Sequence, residues 1–316
     1  MRLAIRVPIE KSGPFLYHFL ENYKMSETNL TTQKMEKPTG LAMTIYQWKT
    51  ALKTQTPYLM TFGIALWLGA YYLFVEGWEL PRFNKLPGPV EVITEWLNPD
   101  PDWGMSLFTP EYYDHVIVSC RRILISFGIA TGVGVPLGLF MGWSKVFRDY
   151  SFPILETLRP IPILAWVPLA ILMFTGFETP VIFLATLASL FVTTLNTLLG
   201  VDSIDDDYFR AAKSLGSKKH HIFFHIVVPG ALPFIFTGLQ ISVGVAWFSL
   251  VAAEMVSGEF GLGYLIVDSY MNITYVTMVI GMLTLGFTGW ASSVIVRIVG
   301  NRLMQYRLRA LAMEGR

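Results

Sequence analysis

The feature that most constrains this chain is the recurrence of apolar runs long enough to cross a bilayer. They occupy residues 58–75, 116–143, 163–176, 181–199, 233–256 and 276–300. At 1.5 Å per residue, about 20 residues of helix cover the roughly 30 Å of hydrocarbon. With 53% hydrophobic and 15% charged residues and a mean hydropathy of +0.48, the chain reads as an all-α polytopic membrane protein of about six transmembrane helices, since soluble domains carry about 25% charge. The third run is short, interrupted by Pro168 and directly preceded by Pro160 and Pro162. Proline frees backbone carbonyls that lipid cannot satisfy, so this span is expected to be internal and irregular.

Basic residues set the orientation. The N-terminal segment, a turn at 144–150 with Lys145 and Arg148, the loop with Arg210, Lys213, Lys218 and Lys219, and the tail from Arg297 all fall on one side of a six-span chain. By the positive-inside rule that side is cytoplasmic, with both termini. Acids dominate the opposite stretch 76–114. Residues 1–57 read as a partly disordered cytoplasmic segment without a signal peptide, and 58–316 as the membrane domain. A net charge of +1 argues against nucleic acid. The lone Cys120 permits no internal disulfide and reads as packing.

Between the fourth and fifth runs lies a polar hairpin, residues 200–231. Ile204, Tyr208, Ala211, Ala212 and Leu215 recur at helical spacing, while Asp205, Asp206, Lys213 and Ser214 take the other face. Ser203 with Asp206 makes a weak capping box, and Gly216 suits the left-handed residue that ends a helix. Such an amphipathic helix either lies in the lipid interface or docks in a groove on a partner, and composition leaves both open.

Polar groups inside spans are expensive and face protein or water. Arg121 and Arg122 sit near the outer part of the second span, Glu156 and Arg159 near the start of the third, Thr193, Thr194 and Asn196 in the fourth, and Gln240, Ser242, Trp247, Ser249 and Glu254 in the fifth. Bland readings compete for each: pairing at i,i+3 for Glu156 and Arg159, snorkelling for the arginines, back-bonding for the hydroxyls. The glycines Gly128, Gly132, Gly134, Gly138 and Gly142 mark a close-packing face, with intrachain packing favoured over a dimer contact. No G-x-x-x-x-G-K-[ST] loop is present, so ATP is not bound in the usual way. His220, His221 and His225 lack a further nearby ligand and read as solvated, with no metal. Nothing forms a catalytic set; the expectation is a transport subunit, not an enzyme.

The hairpin carries Ala211-Ala212, then Gly216 after three residues, Ile226 after nine more, and Val228-Pro229. This resembles the E-A-A loop of membrane subunits of ABC importers, with Arg210 where the family has Glu and Val228 where it has Leu. The resemblance implies that the loop is the coupling helix received by an ATP-hydrolysing subunit, with Ser203, Asp206, Tyr208, Arg210, Ala211, Ala212, Leu215 and Gly216 as the contact set. Further phrases over 86–302 narrow it: Leu86-Pro87-Gly88-Pro89, Arg159-Pro160-Ile161-Pro162, Trp166-Val167-Pro168-Leu169, Val251-Ala252-Ala253-Glu254-Met255 and Gly261-Leu262-Gly263-Tyr264. They are similar to type I permeases of the nitrate, sulfonate, taurine and bicarbonate group. Membership implies a bacterial inner-membrane homodimer, two cytoplasmic ATPase subunits that carry ATP and Mg, an extracytoplasmic binding protein, and no cofactor on this chain. It points to nitrate first, with bicarbonate or sulfonate/taurine as alternatives; an ATP-independent channel or secondary transporter is the rival class. For an oxyanion the path needs donors, and Thr193, Thr194, Asn196, Gln240, Ser242 and Trp247 are those at suitable depth. Glu254 lies about 30 Å from the cytoplasmic end of its span and would repel an anion, so a gating or structural role with Arg121 or Arg122 is expected.

Overall fold

The computed structural model describes residues 56–77, 86–102 and 104–304. Apart from Thr56 and Pro57, the expected cytoplasmic segment 1–57 lies outside these residues, as does the basic tail after 304. The chain divides into two compact units between Gly69 and Ala70. Apart from the first part of helix α1, every described element belongs to the second unit.

Every described element is helical. Helix α1, Thr56–Tyr72, continues through a wide π turn, Leu73–Gly77; α2 is Pro89–Trp96, α3 Pro110–Trp143, α4 Lys145–Leu158 and α5 Val167–Met173. Then come α6, Glu178–Asp202, α7, Asp206–Ser214, α8, Lys219–Ile222, α9, Val228–Ser257, α10, Leu262–Met271, and α11, Tyr275–Leu303. Among the described residues four helices are long and apolar enough to cross a membrane: α3, α6, the continuous rod from Lys219 to Val256, and α11. Prolines at 89 and 110 stand in first turns, where a missing N–H removes no helical bond, whereas Pro229 lies inside the rod, directly after the π turn Phe223–Val227.

The third span differs from the sequence expectation. It begins at Lys145, where α4 follows α3 with only Ser144 between, so the expected turn at 144–150 is helix. The Ser144 hydroxyl caps it, accepting from the Phe147 amide at 3.3 Å. After α4 the chain bends by 91° into the short helix 163–166 and α5. The break falls at Pro160 and Pro162, which lack amide protons and push the residue before them out of the helical region. Lys145 and Arg148 mark the polar face of an amphipathic helix that sequence reading mistook for a loop.

Helix α6 is the hub, packed on α3 along one side and on α9 along the other. Small residues let the backbones approach. A methyl at Gly134 would meet Thr193 and Thr194, one at Gly138 the Thr194 carbonyl and Thr197, and one at Gly142 the Val201 side chain. Toward α9, Gly200 closes on Ala231 and Phe234, and Gly238 on Asn196. In lipid, where burial of apolar surface drives little association, such contact supplies much of the adhesion. Gly128 and Gly132 face open space. The glycine-rich face therefore splits, its inner half used within the chain.

Two apolar clusters stack along this hub. One gathers Ile123, Val167, Val181, Leu184, Val243, Ala246, Leu250 and Leu262; the other gathers Leu139, Val201, Val227, Ala231 and Ile235. A third, of Val92, Met105, Tyr112, Leu265, Val276 and Ile280, joins α2 and the loop after it to α10 and α11. There the Tyr112 and Thr284 hydroxyls bond at 2.8 Å.

Candidate functional site

The hairpin between α6 and the α8–α9 rod folds as its composition dictates. Acids fill the first turn of α7, where the helix dipole favours them, and Lys213 fills the last. The N-cap is Asp205, whose carboxylate accepts from the Asp207 amide at 3.0 Å. The expected box from Ser203 to Asp206 is not made, because Ser203 lies two residues before the N-cap and its hydroxyl donates to the Gly200 carbonyl at 2.8 Å. The C-terminus closes as expected at Gly216, with φ of 73°. The Ser217 amide reaches the Ala212 carbonyl and the Gly216 amide the Lys213 carbonyl, both at 3.0 Å, the paired bonds of a Schellman cap.

The apolar residues of α7 divide between two faces. Phe209 packs inward on the cluster around Leu139 and Val201, a role that sequence reading missed. Tyr208 and Leu215 are 64% and 85% exposed, and with exposed Ala211 they form a one-sided stripe that nothing in the described chain covers. Ala212 is half-buried at a cavity of about 440 Å³, lined also by Gly216, Lys218, His221 and His225. Ser203 and Tyr208 line a second, of about 580 Å³. Arg210 holds Asp207 at 3.5 Å in full solvent, a pairing worth little. His225 Nδ1 lies 3.1 Å from the His221 carbonyl, and no group of described residues is arranged to hold a metal.

At the other end of the bundle a buried charge network ties four elements together. Arg122 sends Nη1 to Glu254 Oε1 at 2.8 Å, Nη2 to Glu178 Oε1 at 2.7 Å and Nε to Glu178 Oε2 at 3.1 Å. It also donates to the Phe260 carbonyl. Glu254 is wholly buried, and its carboxylate further accepts from Ser119 Oγ at 2.9 and 3.0 Å and from the Gly263 amide at 2.9 Å. Ser119 Oγ in turn accepts from the Leu262 amide at 2.8 Å. Gly261, at φ of 126°, lies so near that a methyl there would strike the carboxylate. Four of the five guanidinium N–H groups and both oxygens of Glu254 therefore have partners, the condition under which buried charge is tolerable. Arg121, by contrast, is exposed and, among the described residues, pairs only with Glu178, at 3.3 Å.

The six polar residues expected at path depth are not equivalent. Thr193, Thr194 and Ser242 have no exposure. Thr193 Oγ1 donates to Ser242 Oγ at 3.0 Å and Ser242 Oγ to the Ser189 carbonyl at 3.2 Å, joining α6 to α9. Thr194 Oγ1 is buried without a partner. Trp247 donates to Ser292 Oγ at 3.2 Å. Asn196 and Gln240 are half-buried and reach the protomer surface.

The sequence profile of the family described as binding-protein-dependent transport system inner membrane component matches residues 134–306. That span covers the bent helix pair, the α6–α7–α9 hairpin and α11. The chain belongs to this family of ABC permeases. A probable ABC transporter permease of Brucella abortus (strain 2308) is 32% identical over 251 residues, covering 78% of this chain and 98% of that one. The nitrate import permease NrtB of Synechocystis is 33% identical over 215 residues, 65% of this chain and 76% of its own length. The taurine transport permease TauC of Escherichia coli is 37% identical over 181 residues, 57% and 65% respectively. In fold the permease matches a chain of the inward-facing MetNI methionine ABC transporter with a TM-score of 0.53 at 17% identity, over 64% of this chain and 99% of that one. It is thus a type I importer permease of the nitrate and taurine group, a transport subunit of the inner membrane.

Proposed function

We propose that this permease forms the membrane path of an ATP-driven importer for a small oxyanion, nitrate foremost, in a bacterial inner membrane with both termini in the cytoplasm. The observation that carries the reading is α7: a capped, solvent-projecting helix between two membrane-crossing rods, with Tyr208, Ala211 and Leu215 uncovered on one side. It would dock in the ATPase subunit, with Ser203, Asp206, Arg210, Ala212 and Gly216 around the contact. ATP and Mg would be held by that subunit and none by this chain. A binding protein would deliver substrate, and a second copy of the chain would complete the path, with residues 1–57 a cytoplasmic segment before the 58–316 permease domain.

Within the path, Asn196 and Gln240 are the donors that a protomer surface can offer; Thr193, Thr194, Ser242 and Trp247 would support them from behind. Arg121, Arg122 and Glu254 would hold the outer end closed. Nitrate is favoured by the NrtB relative, which aligns over more of the chain; taurine is the second reading, favoured by the higher identity of TauC. Proteoliposomes carrying the permease with the ATPase and binding protein of its own gene cluster test this: ATP-dependent uptake of labelled nitrate is expected to exceed that of taurine and bicarbonate. Uptake without ATP would overturn the importer reading, and uptake of taurine but not nitrate the substrate.

A further inference from the structure

Helix α4 lies uncovered on the surface of the second unit. None of its residues is buried, and Val146, Tyr150 and Ile154, spaced by four, are 68%, 76% and 61% exposed. The same stretch carries Glu156 and Arg159, both exposed and three residues apart, yet not paired with each other or with any other described residue. Their depth is set by the contacts on either side of them. Arg148 holds Asp202 at 3.0 Å, at the level where Gly142 meets Val201. Beyond the break, Phe174 packs on Phe183 with ring centroids 5.0 Å apart, close below Glu178 and Arg122. The twenty residues of α3 between Arg122 and Gly142 span about 30 Å. Four residues beyond Arg159, Ile163 packs on the cluster of Val181, Leu184 and Val243, which sets Arg159 between these two levels, at a depth where a charge facing lipid is costly.

We propose that α4 and the break after it form the contact between two copies of the chain, with Glu156 of each copy paired to Arg159 of the other. The proposal rests on the two-copy path of the proposed importer and adds which surface closes it. A two-fold axis along the membrane normal sets the two α4 helices parallel at one height, so the paired residues are offset by three positions, about 4.5 Å, which extended Arg and Glu side chains bridge. One symmetric contact thereby satisfies four charges at once, on the face of α4 that lies away from Val146, Tyr150 and Ile154.

The test uses two differently tagged copies expressed together with the ATPase and binding protein. Glu156→Arg alone, or Arg159→Glu alone, places like charges across the contact and is expected to lower two-tag recovery and uptake by about tenfold or more. Expressed together, one variant in each copy, they restore both pairs across the interface and are expected to recover assembly and uptake. Pairing within a chain predicts no such rescue, because each copy still carries two like charges. Should the reversed chains insert poorly, Glu156→Cys in one copy and Arg159→Cys in the other, in a Cys120→Ser background, are expected to give a disulfide-linked dimer on oxidation. Wild-type copies that copurify, but with neither rescue nor cross-link, would overturn this contact and leave the two-copy path standing; wild-type copies that never copurify would overturn the path as well.

Discussion

Replacing Glu254 by Gln removes one charge and leaves the shape unchanged, which isolates what the buried network contributes. Each carboxylate oxygen takes a different donor: Oε1 accepts from Arg122 Nη1 at 2.8 Å and Oε2 from the Gly263 amide at 2.9 Å. An amide has one acceptor oxygen, so its NH2 must face either the guanidinium or the Gly263 N–H. One buried donor is then lost, at about 1–3 kcal/mol. Stripping a carboxylate from a buried pair costs about 3–5 kcal/mol when the cation is left alone. Here Glu178 still holds Arg122 with two bonds, so the lower end applies, about 3 kcal/mol in all. At about 2.1 cal/mol/K of unfolding entropy per residue, that converts to a fall in melting temperature of about 4–5 °C for a chain of 316 residues. Thermal unfolding of the detergent-solubilised permease, followed by its tryptophan fluorescence, measures it. The ratio of nitrate to taurine uptake is expected to stay unchanged, since Glu254 meets only protein atoms. A variant that melts with the wild type, or one that shifts discrimination among anions, would refute the reasoning.

Gly216→Val forces a β-branched residue into a left-handed position and is expected to disrupt the cap of α7, at about 1–2 kcal/mol locally; membrane insertion should survive while stimulation of the ATPase by substrate-loaded binding protein is lost, as also for Ala211→Trp on the exposed stripe. Gly138→Val drives a side chain into Thr197 and the Thr194 carbonyl and is expected to cost about 3 kcal/mol or more, whereas Gly132→Ala, with open space before it, is expected to leave the melting temperature within error.

The spans, the amphipathic hairpin helix and the cap at Gly216 were legible because each is written in local spacing: apolar length, helical periodicity, a glycine where a left-handed residue is needed. The partner of Glu254 was legible only as a depth, which left Arg121 and Arg122 equal. Packing separates them, since neighbouring residues on a helix point about 100° apart and only Arg122 faces α9. Glu178 escaped notice because it reads as the polar start of a span, although an unmatched second arginine at that level called for another acid. Ser119 and Phe209 carry no signal beyond their type. Helix α4 was misread as a loop because two basic residues at a span end resemble a boundary, whereas its apolar positions at 146, 150 and 154 keep helical spacing.

The contacts of α6 also decide how force can travel through the permease. Glycines on α3 at 134, 138 and 142 mesh with Thr194, Thr197 and Val201 like a rack against a pinion that has no clearance, and Gly200 and Gly238 do the same between α6 and α9. Neither neighbour can slide along α6 without lifting away from it. A push delivered at α7, joined to α6 by three residues and held from below by Phe209, is therefore transmitted as a tilt of the three-helix block as one body. The stroke at the far end, near Arg122 and Glu254, scales with the length of that block, so a small displacement at the α7 end becomes a comparable opening some 30 Å away.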